Sequence, residues 1–223
     1  MSRIAAIPAP LPRAAFLDPL GIGIQIAGPA LIRAASALAA HAKAKRAAAP
    51  RRAAARARTC STLETGTRTI SAGDRGVTYD DLVVPYLASA PIVTIIDPYL
   101  RDEQQIQNLA DLLESIGRTN NAAPTKVEII TTAEDGTIER ACRQAELLLA
   151  LRANAALDGL SVSVAFDSTI HDRSITTHEW QILLGKGLDF WHRPGADVDP
   201  LTWRRQELRE VAKTFHITYN RVS

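Results

Sequence analysis

The chain's 223 residues, 46% hydrophobic and 22% charged, suffice for one ordinary domain with extensions or for two small ones. The net charge of +2 hides a division: residues 1–59 carry ten Lys and Arg against one acid, Asp18, whereas residues 60–223 carry sixteen against twenty-three acids, a net of −7. So acidic a body excludes a general nucleic-acid groove, which needs a dense positive surface, and two isolated cysteines, Cys60 and Cys142, exclude a disulfide framework or a zinc site.

Residues 1–59 read as a basic Ala/Arg/Pro-rich tail. Its first half mixes Pro and Gly into apolar residues without a period, and "RAASALAAHAKAKRAAAPRRAAARAR" has too few large side chains to offset the entropy of ordering it. Disorder is expected there. A linker or tail, a targeting peptide, and an upstream region read from an early start codon all fit, with the scarcity of serine weighing against the second. Residues 60–75 read as a linker and 76–223 as the domain. The longest run without a charge, Leu82–Ile96, is fifteen residues broken by Pro85 and Pro91. A bilayer takes roughly 20 apolar residues, so no transmembrane helix is expected.

"PIVTIID" (91–97) predicts a strand buried on both faces. "DEQQIQNLADLLESIG" carries a helical stripe at Ile106, Leu109, Ala110, Leu113 and Ile116 and closes on Gly117. "KVEIITT" is a second strand, and "TIERACRQAELLLALRANAALDG" a long helix with its stripe at Ile138, Ala141, Cys142, Ala145, Leu148 and Leu149. That stripe predicts a buried Cys142 thiol, and the reducing compartment this implies is cytoplasmic. "LSVSVAF" alternates as a third strand. This order predicts parallel strands joined by right-handed crossovers. "RSITT" and "EWQILLGKG" then read as an antiparallel pair, "LTWRRQELREVAKTF" as a last helix through Leu208, Val211, Ala212 and Phe215, and "FHITY" as a final strand. The expected fold class is α/β: a mixed, mostly parallel sheet with helices on its faces. Trp180 and Trp191 are expected in the core.

Asp97, Pro98 and Tyr99 end the first strand, the edge where open α/β sheets bind ligands. Asp97 and Asp102 serve equally well as caps of the following helix. His171 and Arg173 share a face by alternation, as two side chains gripping one phosphate would, although a salt-bridged turn also fits. Gly185-Lys186-Gly187 lets backbone N–H groups and an ammonium approach an anion, or forms only a tight turn.

Taken in order, "GVTYDDLVVPYL", "IDPYLRDEQQIQNL", "IHDR" and "LGKGLDFW" resemble one lobe of the phospholipase D superfamily. They are most similar to the C-terminal phospholipase-D-like domain of proteins carrying a microtubule-interacting-and-trafficking (MIT) domain. The likeness covers residues 76 to about 220. Active members of the superfamily use histidine, any residue, lysine, four residues and aspartate, in two copies. Here stand His171-Asp172-Arg173, His178 in place of the aspartate, and one copy only.

The resemblance therefore implies a non-catalytic binding module, or pseudoenzyme, that contacts a partner protein, an anionic membrane or a phosphate group such as a phosphoinositide. It further implies an adaptor in an ATPase-linked or ESCRT-like system. Candidate contacts are Asp97, Tyr99, Arg101, His171, Arg173, Lys186 and Asp189. The alternative is a homodimeric single-motif phosphodiesterase or nuclease, with His171 as nucleophile and Arg173 and Lys186 clamping phosphate. No metal and no cofactor are expected. The expected location is cytoplasmic, with peripheral membrane association through the basic tail.

Overall fold

The structure, a computed structural model, describes residues 63–87, 90–119, 125–195 and 203–222. The tail expected over 1–59, and Cys60, lie outside them. Seven strands form one mixed sheet: β1 (Gly66–Ile70), β2 (Ile92–Ile96), β3 (Thr125–Thr131), β4 (Leu160–Phe166), β5 (Ser174–Thr176), β6 (Trp180–Leu184) and β7 (Phe215–Arg221). Among the described residues four complete α-helices accompany them: the short α1 (Tyr79–Leu82) and α2 (Val84–Leu87), then α3 (Glu103–Thr119) and α4 (Ile138–Leu157).

The sheet runs β1-β7-β6-β5-β2-β3-β4. The expected crossovers give the parallel pairs β2/β3 and β3/β4; the other four pairs are antiparallel. The mixed α/β lobe is as the sequence predicts, but its balance is mostly antiparallel. The β5–β6 hairpin and the returning β7 extend one half, and β1, drawn from residues expected to be linker, pairs with β7.

The helices α3 and α4 lie on one face of the sheet and pack against each other, because both crossovers step in the same direction along it. Beneath them Val93, Ile95, Val127, Ile129, Ile175, Ile182 and Ile217 are buried. The opposite face carries Thr94, Lys126, Glu128, Ser161, Ser163, Thr218 and His216, none of them buried. Thus β2 is buried on one face only, contrary to the expectation from its continuous apolar run, since Ile92 on the other face is 45% exposed.

Two helix predictions are corrected. On α4 the buried stripe is Gln144, Leu148, Leu151 and Ala155, while Ile138 is 86% exposed and Cys142 only half-buried. Gln144 earns its buried place by donating to the Leu100 and Thr132 carbonyls and accepting from the Glu134 amide. The last predicted helix does not continue past Trp203; a 3₁₀ turn, Gln206–Leu208, follows. Tertiary hydrogen bonds take the backbone instead: the Gly76 and Gly73 amides donate to Glu207 and Val211 carbonyls, and the His192 amide donates to the Glu210 carbonyl. Leu208 is 40% exposed, whereas Arg209, polar in any pattern, is buried.

Trp180 and Trp191 are core residues, as expected. Tyr79 meets Phe190 and Trp191 edge-on at 5.7 and 5.0 Å, and its hydroxyl donates to the Leu188 carbonyl at 2.7 Å. This aromatic floor fixes the loop after β6, which forms one wall of the site.

Candidate functional site

Asp97 follows β2 directly, where the strand's carboxyl end meets the turn into α3. Its carboxylate accepts the Tyr99 amide at 3.0 Å and stays buried. The capping of α3 falls to Asp102. Its Oδ1 accepts the Gln105 amide, and Gln105 Oε1 accepts the Asp102 and Arg101 amides in return, a reciprocal capping box. Asp97 is thereby left to the cleft.

Arg173 enters from the segment leading into β5. Its guanidinium lies over the Tyr99 ring, 4.3 Å from the centroid, its Nε is 3.9 Å from Asp97, and a terminal nitrogen donates to the Gly185 carbonyl at 3.3 Å. Gly187, at φ +66°, passes so close that a Cβ would fall 2.6 Å from both Arg173 Cδ and Asp97 Oδ2. Asp97, Tyr99, Arg173, Lys186 and Asp189 line a cleft of about 220 Å³ together with Gln105. A second cleft, of about 400 Å³, adjoins it through Lys186 and Asp189 and adds His192, Arg193 and Lys213.

Burial raises the Asp97 carboxyl above its ordinary value of 3.8, against the pull of the Tyr99 amide and Arg173. Burial likewise raises Asp189, which Asn108 holds by a side-chain hydrogen bond at 3.1 Å and Arg193 approaches at 3.7 Å. In the window from the ordinary value up to the raised one, folded Asp97 holds a proton that the unfolded chain has released. Folding stability therefore falls as pH rises through that window, and above it the buried charge is a standing cost. Asp97→Asn keeps an oxygen for the Tyr99 amide. It is expected to unfold at higher urea than the parent at pH 7 and to lose that advantage below pH 3.8.

Five of the seven predicted contacts thus converge. Arg101 does not join them: it bonds Asp135 at 3.2 Å and Thr132 at 2.9 Å across the loop after β3. His171 is exposed on the loop before β5 and lines neither cleft. His178 sits at the turn end of the β5–β6 hairpin, beside Glu179. Sequence reasoning missed Asn108, Arg193, Gly187's close approach, and the Arg209–Asp111 pair below the cleft. The visible signal was polar Asn108 and Asp111 within the buried face of α3. Among the described residues no three His, Cys, Asp or Glu side chains gather to hold a metal ion.

The family model of the phospholipase D-like domain at the C-terminus of MIT matches residues 76–221. The chain belongs to this family. The MIT domain-containing protein 1 of Mus musculus is 27% identical over 121 residues, 53% of this chain and 47% of the relative. The match therefore spans about half the length of that curated relative. A solved structure of TrmBL2, an archaeal chromatin protein described as showing a novel mode of DNA binding, aligns over 85% of this chain and 58% of its own. That alignment has 15% identity and a TM-score of 0.30. In this phospholipase D-like domain the segment before β5 delivers Arg173 to the cleft, while His171, two residues earlier, is exposed and lines neither cleft. Among the described residues no helix is long and apolar enough to cross a membrane.

Proposed function

We propose that this phospholipase D-like domain is a non-catalytic binding module whose cleft takes an anionic phosphate group. The observation that carries the reading is the convergence of Arg173 and Lys186 on one cleft beside the bare Gly187 backbone. Arg173 offers five N–H donors in a fixed fork. The Tyr99 ring and the Gly185 carbonyl hold that fork while leaving donors for a ligand. Lys186 forms no ion pair among the described residues and so brings an uncommitted charge. Asp97 and Asp189 set a ceiling on affinity at neutral pH. As acid protonates these raised carboxyls, the cleft becomes more positive and its hold on an anion strengthens.

The phosphate is that of an acidic lipid headgroup, which would place the domain at a membrane periphery as an adaptor for an ATPase-linked or ESCRT-like partner. Family membership supports this context. The exposure of His171 outside both clefts favours binding over phosphodiester cleavage.

Titration with a soluble inositol phosphate, followed by calorimetry, tests the cleft by comparing parent with variants, since the basic tail contributes equally to all of them. Arg173→Ala and Lys186→Ala are each expected to weaken binding at least about tenfold, the worth of one charge-assisted contact. His171→Ala should leave it unchanged. Vesicles with and without phosphoinositide then separate a lipid headgroup from free phosphate. Binding indifferent to both substitutions, or a chromogenic phosphodiester hydrolysed by the parent but not by His171→Ala, would overturn the reading.

A further inference from the structure

We propose, resting on the phosphate-binding reading of the first cleft, that the headgroup carries phosphates on two adjacent ring carbons. The first cleft holds one of them, and the second cleft, around Lys213 and His192, holds the other.

The first cleft is too small and too nearly neutral to take a whole headgroup. Arg173 and Lys186 stand there against Asp97 and Asp189, two cations against two acids. Its volume of about 220 Å³ falls below the roughly 300 Å³ at which small-molecule sites begin. The adjoining cleft, of about 400 Å³, lies within that range. It shares Lys186 and Asp189 with the first and adds Arg193, Lys213 and His192, but no further acid. Asp102, outside the lining, engages Arg193 at 2.7 Å. Lys213 forms no ion pair among the described residues, so the second cleft brings an uncommitted ammonium of its own.

The backbone that carries these groups is already fixed. Segments 190–192 and 210–212 pair through a bridge between Trp191 and Val211. The Ala212 amide donates to the Phe190 carbonyl and the His192 amide to that of Glu210, both at 2.9 Å. Beneath them Phe190 stacks on Phe215 with ring centroids 4.7 Å apart, and both rings are buried. His192 ends the first segment and Lys213 follows the second directly, each exposed. A ligand therefore meets a formed wall and need not order the backbone to bind it.

Lys186 lines both clefts, and this sets the spacing of the two phosphates. Its ammonium carries all its donors on one nitrogen. With charge-assisted bonds of about 2.8 Å, two oxygens that it grips together lie about 5 Å apart. Phosphates on adjacent ring carbons bring their oxygens that close, whereas phosphates on opposed carbons point away from each other. Arg173 then clamps one phosphate from the Tyr99 side and Lys213 the other, with Lys186 between them. Asp189, on the shared wall, is engaged by Asn108 at 3.1 Å and Arg193 at 3.7 Å, which offsets its repulsion of the ligand.

Calorimetry on the full chain compares inositol 4,5-bisphosphate, the adjacent isomer, with inositol 1,4-bisphosphate, an opposed isomer of equal charge. The parent is expected to bind the adjacent isomer at least about tenfold more tightly, the effect of one added charge-assisted contact. Lys213→Ala should abolish that preference by weakening the adjacent isomer alone, whereas Arg173→Ala should weaken both. Lys126→Ala, on the open face of the sheet, removes the same charge elsewhere and should change neither. Lys213 and Lys126 are exposed, so circular dichroism should stay as in the parent. Equal binding of the two isomers, or a preference that survives Lys213→Ala, would overturn the second phosphate site and leave the first intact. No binding of either isomer or of inositol 1-phosphate would overturn both sites together. Inorganic diphosphate bound more tightly than the adjacent isomer would overturn the headgroup as the source of the two phosphates.

Discussion

Arg209→Ala is expected to cost about 3–5 kcal/mol of folding stability, the largest loss from any single exposed-looking position in the sequence, because it strips a buried carboxylate of its partner. Arg209 is 2% exposed. Its guanidinium donates to Asp111 at 2.6 Å and to the Trp203 carbonyl at 2.6 Å. It also lies 4.9 and 4.8 Å from the rings of Trp191 and Trp203. Removing it leaves Asp111 buried with only the Gln107 amide at 2.9 Å. Urea unfolding followed by indole fluorescence measures the effect, since two of the reporting rings stack on the missing group. The double change Arg209→Met with Asp111→Leu should recover most of the loss, because both charges leave together. A double variant as unstable as Arg209→Ala would instead locate the cost in packing against the two indoles.

Gly187→Ala is expected to damage the cleft and the fold together. Holding alanine at φ +66° costs about 1–2 kcal/mol. The new methyl would also meet Arg173 Cδ and Asp97 Oδ2 at 2.6 Å, so one of them must move. Arg173 is the more mobile, and its displacement breaks the stack on Tyr99. Loss of that fork should lower affinity for a soluble inositol phosphate roughly tenfold, with a fall in urea midpoint measured on the same sample. Were the methyl tolerated with binding intact, Arg173 would not be the ligand's clamp.

The strand–helix–strand–helix–strand series from 91 to 166 was legible because each element's own period and breakers set it. The capping box Asp102–Gln105 and the alternation of "LSVSVAF" are local chemistry. The order "IDPYL", "IHDR", "LGKGLDF" was specific enough to point to the family that the comparison shows. The convergence of Asp97, Tyr99, Arg173, Lys186 and Asp189 was also foreseeable, since strand ends and glycine turns gather at the same edge of an α/β sheet. Arg101 and His171 passed the same sequence test and do not join them, because side-chain direction depends on partners such as Asp135 that lie far along the chain.

The sequence alone thus determined the strands and helices between 91 and 184, the turns that separate them, and the charge division between tail and body. Tertiary structure decided the rest. It chose which of two apolar stripes on α4 faces the core, because the sheet and α3 select a side that periodicity cannot. It broke the helical pattern after Trp203 into a 3₁₀ turn and irregular chain, because the Gly73, Gly76 and His192 amides take its carbonyls. It also gave Arg209 a buried place through Asp111, 98 residues away in sequence, a pairing that no local pattern encodes.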